Sequence, residues 1–138
     1  MATDSPFIWT VRVYYEDTDC GGVVYHTAYL RFMERARTEW LRKYGFEQDS
    51  LLRDNILFAV HSLEVQYHRP ARFNDLLEVS VEIDCKTPAS LTFAQKIQHS
   101  EFDSLLCSAR VKVVCLSADR FRPCKMPASI NKEIFGEY

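Results

Sequence analysis

The stretch EDTDCGGVVYH, residues 16–26, brings the most reactive side chains of the chain together within eleven residues. It holds two aspartates, a cysteine and a histidine around the adjacent glycines Gly21 and Gly22. Glycines adopt backbone conformations that other residues avoid, and they let the chain approach a ligand closely. Aspartates in such a loop carry a negative charge at neutral pH. The loop can therefore supply a nucleophile or a general base to a bound substrate.

A long amphipathic helix is predicted directly after this loop. Apolar residues recur every three or four positions, at Tyr29, Phe32, Met33, Ala36, Trp40 and Tyr44. This spacing is typical of a helix of about five turns with one buried face. Thr27 is a suitable N-cap, and Gly45 is a suitable stop. Because the first amides of a helix lack partners within it, we expect the N–H groups of Tyr25 and His26 to face a negatively charged oxygen.

Turn formation and catalysis compete as explanations for the same loop residues. Aspartates often form turns before glycines, and we assign that role to Asp17. We predict that Asp19 is the reactive carboxylate. The ring of His26 can act in catalysis or donate to a backbone carbonyl, and both roles stay open. Its backbone N–H group is the stronger candidate for a part in the site. We interpret Cys20 as a small filler, since nothing in the sequence indicates an activated thiol.

No other group of residues predicts a metal site or a nucleotide site. The remaining histidines show no ligand spacing, and we assign no metal ligands. No Gly-x-Ser-x-Gly elbow or Walker-type glycine run occurs. Glu34 can act as a second carboxylate on the helix, but Arg37 and Thr38 one turn on favour an ordinary surface pair.

Alternating polar and apolar residues predict five strands around this helix. They cover residues 9–15, 63–67, 77–85, 91–97 and 109–116. Weaker helical patterns lie at residues 49–55 and in the tail KMPASINKEIFGEY. We therefore expect one α+β domain over residues 1–138, with an antiparallel sheet wrapped around the long helix. The strands after the helix are expected to form a meander, and a free sheet edge predicts a homo-oligomer.

Composition excludes several classes of function. The net charge of −2 provides no field that attracts nucleic acid. No apolar run approaches the ~20 residues that span a bilayer, and the start MATDSPFIWT does not resemble a secretory signal. Five cysteines without a Cys-x-x-Cys pair argue against a zinc site and a disulfide framework. We therefore predict a soluble cytoplasmic protein.

Three stretches carry a resemblance to a known family. They are VRVYYEDTDCGGVVYHTAYLRFMERARTEWLR, VQYHRPARFNDLLEV and PCKMPASI. They resemble the hotdog-fold acyl-CoA thioesterases, and more narrowly the Tol–Pal-associated enzymes related to 4-hydroxybenzoyl-CoA thioesterases. The likeness covers nearly the whole chain. The sequence departs from the family at Cys20, where a small residue such as alanine is more usual.

The resemblance implies a hotdog fold and hydrolysis of a fatty or aryl acyl-CoA to free acid and coenzyme A. It matches Asp19 to the catalytic aspartate and implicates His26, seven positions on at the start of the helix. Thioester hydrolysis also needs an oxyanion site, for which the amides of Tyr25 and His26 are candidates. Coenzyme A enters as part of the substrate, and no separate cofactor is expected.

Several features stay open at this point. The alternative activities are a hotdog 3-hydroxyacyl dehydratase or hydratase, and a non-catalytic module that binds acyl carrier protein. A dimer of dimers is expected, with acyl carrier protein as a further candidate partner and the inner membrane as a candidate peripheral location. Substrate-binding residues are unassigned. The basic groups that can reach coenzyme A phosphates are Arg69 with Arg72, or Arg120 with Arg122 and Lys125.

Overall fold

The computed structural model describes residues 5–137, which form an α+β domain as predicted. The elements are β1 (Phe7–Arg12), a 3-10 turn (Tyr15–Asp17), α1 (Ala28–Lys43), α2 (Gln48–Arg53), β2 (Ile56–Tyr67), β3 (Leu76–Thr87), β4 (Ser90–His99), β5 (Leu105–Ser117), β6 (Arg122–Pro123) and α3 (Ala128–Phe135). The predicted helical patterns near residue 49 and in the tail correspond to α2 and α3. The short strand β6 has no counterpart in the sequence prediction.

The strands form one antiparallel sheet in the order β1-β3-β4-β5-β2, and β6 adds to β5. The predicted meander is correct for β3, β4 and β5 but wrong for β2. That strand pairs with β5 from Ile56↔Ser117 to Tyr67↔Cys107, so residues 68–75 carry the chain across to β3 beside β1. Alternation along a strand reports which face is buried, and it does not report which neighbour the strand pairs with.

Three predicted strand boundaries differ from the structure by three residues or more, and one of them is the start of β5, which begins at Leu105 instead of residue 109. The strand predicted at residues 63–67 begins seven residues earlier, at Ile56. A bulge between Val60 and Ser62 breaks the register, and the preceding residues are apolar without alternation, so the two-residue period is lost there. The first strand ends at Arg12 instead of continuing to Tyr15.

The long helix α1 packs its apolar face against the sheet and contacts β1 and β3. Phe32, Met33 and Ala36 on this face are fully buried. Burying a large apolar side chain stabilises the fold by about 1.5–3 kcal/mol. The helix ends two residues before Gly45, whose φ of +90° confirms the predicted stop. Thr27 does precede the helix, but its side chain makes no capping hydrogen bond.

Candidate active site

The residues from Tyr14 to His26 form a narrow hairpin that we call the reactive loop. Its two arms meet at an antiparallel bridge between Thr18 and Val24. The amide of Asp19 donates to the carbonyl of Val23 at 2.9 Å. Asp19 and the two glycines therefore lie at the tip, whereas His26 lies at the base of the hairpin, next to the start of α1.

Asp17 has a structural role in this loop. It is only 5% exposed. Its Oδ2 accepts the amide of Tyr14 at 2.9 Å, and its Oδ1 accepts Nη2 of Arg31, on α1, at 3.3 Å. Both carboxylate oxygens are thus engaged, which confirms the predicted turn or capping role. Both backbone groups of Val13 bond the chain just before β3, and the next amide, that of Tyr14, bonds Asp17 instead of another strand.

Asp19 differs from Asp17 in exposure and in its contacts. The residue is exposed, and its Oδ1 accepts the amide of Gly21 at 2.8 Å. Within residues 5–137, its Oδ2 has no hydrogen-bond partner. A Cβ atom added to Gly21 would lie 3.2 Å from Oδ1, so glycine keeps the space beside this carboxylate open. Gly22 completes the turn with a φ of +80°.

The amide of Tyr25 is not available as an oxyanion donor. It donates to the carbonyl of Asp17 at 2.8 Å, as part of the pairing between the two arms of the hairpin. This contact contradicts the predicted role of the Tyr25 N–H group. The prediction assumed that amides near the start of the helix lack partners. It could not include the hydrogen bond from Tyr25 to Asp17, because that bond depends on how the two arms of the loop pair.

The amide of His26 has no protein acceptor in the part of the chain that the structure describes. The neighbouring carbonyl oxygen of His26 accepts the Tyr67 hydroxyl at 2.9 Å, which ties the base of the loop to the end of β2. The exposed His26 ring packs against Tyr25, with ring centroids 4.4 Å apart. The amide of His26 can therefore donate to a ligand without breaking an existing bond. The sequence did not predict that Tyr67 holds the backbone of His26, because alternation only marked Tyr67 as part of a strand.

A cleft of about 290 Å³ opens beside the base of the loop. It is lined by Val24, His26, Tyr29, Tyr67, His68, Arg69 and Pro70. Asp19 does not line this cleft, and no hydrogen bond joins it to His26 within the described residues. One chain thus brings the predicted acid and amide into the same loop, but not into contact.

The segment after β2 holds the reactive loop in place from the other side. The amide of Val24 donates to the carbonyl of Ala71 at 2.8 Å, and Val23 bridges to Arg72. The buried amide of Ala71 donates to the Tyr29 hydroxyl at 3.0 Å. Burial raises the pKa of Tyr29, so this hydroxyl stays neutral. The loop is therefore fastened to both α1 and the chain that follows β2.

The structure separates the two basic groups that the sequence offered for coenzyme A phosphates. Arg69 donates its amide to the carbonyl of Leu106 at the start of β5, and Arg69 lines the cleft beside His26. The other group, around β6, adjoins the far end of β5, where Ser117 pairs with Arg122. Strand geometry places these two ends about 35 Å apart along β5. Only the first group lies beside the reactive loop.

The remaining candidates stay outside this site. Glu34 accepts the Thr38 hydroxyl at 3.0 Å on the exposed side of α1. Cys20 is exposed at the tip of the loop, and the described cysteines are free thiols. No cluster of three metal-ligating side chains occurs among residues 5–137. None of the helices in that range is both long and apolar enough to cross a bilayer.

Comparison with known proteins identifies the family of the chain. Residues 13–134 match the model of the thioesterase-like superfamily. The acyl-CoA thioester hydrolase YbgC of Escherichia coli O6:H1 is 47% identical over 127 residues, which are 92% of this chain and 94% of that protein. The acyl-CoA thioesterase YbgC of Haemophilus influenzae is 42% identical over 129 residues, which are 93% of each chain.

Solved structures show the same architecture. A probable thioesterase from Bartonella henselae superposes with a TM-score of 0.82 at 34% identity, covering 89% of this chain and all of that one. The 1,4-dihydroxy-2-naphthoyl-CoA thioesterase Slr0204 from Synechocystis gives a TM-score of 0.88 at 22% identity, covering 95% and 96%. At that identity the second likeness reports the fold alone. The predicted hotdog fold is confirmed.

Proposed function

The chain belongs to the thioesterase-like superfamily, and we propose that it is an acyl-CoA thioesterase with Asp19 as its reactive carboxylate. Water cleaves the thioester of a fatty or aryl acyl-CoA, and the products are the free acid and coenzyme A. The observation that carries the site is the unengaged Oδ2 of Asp19 at the tip of a loop that leads into the N-terminus of α1. The two arms of that loop are held together by hydrogen bonds between residues 17–19 and 23–25.

The chemistry has two routes that begin at the same carboxylate. Asp19 can attack the thioester carbon and form a mixed anhydride, which water then hydrolyses. Alternatively, it can take a proton from a water molecule that attacks the carbon. In both routes the C–S bond breaks and coenzyme A leaves as a thiolate. The carbonyl oxygen becomes negative, and the free amide of His26 is its donor, a contribution of about 2.7–4 kcal/mol to the transition state.

A second copy of the chain is expected to complete the site. Strand β2 lies at the edge of the sheet and pairs with β5 alone in the described chain. Three large apolar side chains on it stay exposed: Val60 at 48%, Leu63 at 42% and Tyr67 at 48%. A long apolar edge strand favours pairing with another strand. Because Tyr67 also supports His26, pairing through β2 places the partner beside the cleft. A dimer of such dimers is the larger assembly we propose.

The activity is tested by following coenzyme A release from thioesters of short, long and aromatic acids, with acyl carrier protein thioesters beside them. We expect coenzyme A release from at least one class of thioester, at a rate that increases with the enzyme concentration. Addition of water to enoyl thioesters without release would favour the dehydratase alternative. Binding of acyl carrier protein without either reaction would favour the non-catalytic module. Cytoplasmic location, contact with the inner membrane and a Tol–Pal link stay predictions.

The assembly is tested with Leu63→Lys on the β2 edge, because lysine is a side chain that natural edge strands use against pairing. Light scattering should show the wild-type chain as a dimer or tetramer and the variant as a monomer. Leu52→Lys, at an exposed position on α2, is the matched control and should keep the wild-type mass. If Leu63→Lys kept the wild-type mass, the interface between the chains would not lie along β2.

A further inference from the structure

A second cavity, of about 190 Å³, lies between the second half of α1 and the sheet. Its apolar wall comprises Leu41, Phe58, Val60, Leu91, Phe93 and Val113. Its polar lining comprises Glu34, Arg37, Thr38 and Gln48. We call this the helix cavity. It shares no lining residue with the cleft beside His26.

Arg37 is the unusual residue of this cavity, because it is a half-buried cation without a carboxylate partner. Among residues 5–137, no carboxylate oxygen lies within 4.0 Å of its guanidinium. Its Nη1 donates to Oε1 of Gln95 at 3.0 Å, and its Cζ lies 5.9 Å from the centre of the Phe93 ring. Burial lowers the pKa of Arg37, and the more distant charge of Glu34 opposes that effect only in part.

The position of this guanidinium is fixed by a buried amide. Gln95 is 1% exposed. Its Nε2 donates to the carbonyl of Met33 at 3.1 Å and to that of Ser80 at 3.3 Å, which leaves Oε1 for Arg37. A guanidinium has five N–H donors in a planar fork, and the protein engages one nitrogen of it here. The other donors are available to a ligand in the helix cavity.

We propose that the helix cavity binds the acyl group of the substrate and that Arg37 binds a carboxylate at the far end of that group. The preferred substrates would then be monothioesters of dicarboxylic acids. This inference rests on the proposed thioesterase function. A buried charge is stable only when it is paired, and a carboxylate matches the guanidinium fork with two parallel hydrogen bonds.

Glu34 sets the strength of this preference. It lines the same cavity and carries a negative charge, so it repels a bound carboxylate. Its carboxylate already accepts the Thr38 hydroxyl and lies on the exposed side of the helix, where water weakens its field. The Cζ atom of Arg37 lies 5.9 Å from the centre of the Phe93 ring, which is part of the apolar wall. Removing the charge of Arg37 should therefore weaken the binding of a carboxylate, and removing the charge of Glu34 should strengthen it. A neutral hydroxyl ligand would not show these opposite effects.

The distance along the helix sets the length of the acyl group. Arg37 lies nine residues after Ala28, the first residue of α1. A helix rises about 1.5 Å per residue, so the Cα atom of Arg37 lies about 14 Å along the axis from the first residue of α1. A medium-length acyl chain spans this distance. Phe58 and Val60 belong to the free edge strand β2, so a second copy would close that side of the helix cavity.

The test compares dodecanedioyl-CoA with dodecanoyl-CoA, two thioesters of equal length that differ at the far end. We expect the wild-type enzyme to prefer the first in kcat/KM by about tenfold, the order that a hydrogen bond to a charged group contributes. Arg37→Met should remove this preference, and Arg37→Lys should keep part of it. Glu34→Gln should increase it. Arg35→Met, at an exposed position on the same helix, should leave the ratio unchanged.

Calorimetric binding of dodecanedioic and dodecanoic acids separates this inference from the proposed function. Binding of the diacid that depends on Arg37 supports the cavity assignment even when no thioester is cleaved. Cleavage without any preference for the diacyl substrate would overturn the inference and leave the proposed function standing. Equal losses for both substrates in Arg37→Met would assign the residue a structural role. A preference that Glu34→Gln abolishes would contradict recognition of a negatively charged carboxylate by Arg37.

Discussion

The two aspartates of the reactive loop lie two positions apart and differ in burial and in hydrogen bonding. Asp17 is buried, and both of its carboxylate oxygens accept hydrogen bonds. Asp19 is exposed and keeps one oxygen without a protein partner. A carboxylate that is fully bonded and buried stabilises a fold, because its partners would otherwise be left unsatisfied. A carboxylate with a free oxygen on a rigid support can react.

The support for Asp19 is the rest of the loop. Asp17 fastens the first arm to α1 through Arg31, and Ala71 fastens the second arm. Catalytic groups act efficiently when their surroundings hold them in place. We therefore expect substitutions of Asp19 to change the rate of hydrolysis and substitutions of Asp17 to change the free energy of unfolding.

The largest effect is expected from Asp19→Asn. The amide keeps an oxygen that can accept the Gly21 N–H group, so the loop should keep its shape. It can neither attack a thioester nor accept a proton from water, and we expect kcat to fall by at least about 10²-fold. Coenzyme A release and thermal unfolding are measured on the same sample. A variant with full activity would remove Asp19 from the mechanism.

Asp17→Ala should give the complementary result. The amide of Tyr14 and the half-exposed guanidinium of Arg31 lose their acceptor, and we expect the free energy of unfolding to fall by about 1–2 kcal/mol. Urea titration measures this loss, and Asp19→Asn is the control, with a change below about 0.5 kcal/mol. If Asp17→Ala had wild-type stability, the buried contacts would not be what holds the loop.

The two glycines at the tip offer a matched pair of alanine variants. Gly22→Ala forces a side chain onto a φ of +80° and should cost about 1 kcal/mol of stability. Gly21→Ala places a Cβ atom 3.2 Å from Oδ1 of Asp19, so the carboxylate must shift by a few tenths of an ångström. We expect this variant to lose more kcat than stability. If Gly21→Ala and Gly22→Ala changed kcat and stability to the same extent, the carboxylate of Asp19 could not be distinguished from the loop that supports it.

The smallest effect is expected from Tyr67→Phe. The hydroxyl bonds the carbonyl of His26, not its free amide, and the side chain is half-exposed. Loss of such a bond costs about 0.5–1.5 kcal/mol. We expect a few-fold decrease in kcat with little change in KM, measured by steady-state kinetics. A rise in KM alone would indicate that Tyr67 contacts the substrate instead of positioning His26.

Much of the fold was predictable from the sequence because local patterns determine it. The helix from Ala28 to Lys43 follows from its apolar spacing and from Gly45, and β3 to β5 follow from alternation. The position of β2 beside β5 could not be predicted, since strand pairing over long sequence distances leaves no local pattern. Its bulge at Val60 also interrupted the period that defines a strand.

The candidate site was predictable only in part, for a similar reason. Turn chemistry predicted the structural role of Asp17, which its hydrogen bonds confirm, and the catalytic role assigned to Asp19 with the family resemblance stays a prediction. The bond from the Tyr25 amide to Asp17 could not be foreseen, because it depends on how the two arms of the loop pair. The same holds for Arg37, whose lack of a carboxylate partner only appears once α1 lies on the sheet.

The most direct test of the central claim is a crystal structure with a ketone analogue of an acyl-CoA, in which carbon replaces the thioester sulfur. The account predicts the ketone oxygen within about 3.2 Å of the His26 amide nitrogen, with the Asp19 carboxylate at the carbonyl carbon or one water molecule away from it. A ketone bound elsewhere, with Asp19 still facing only solvent, would contradict the account.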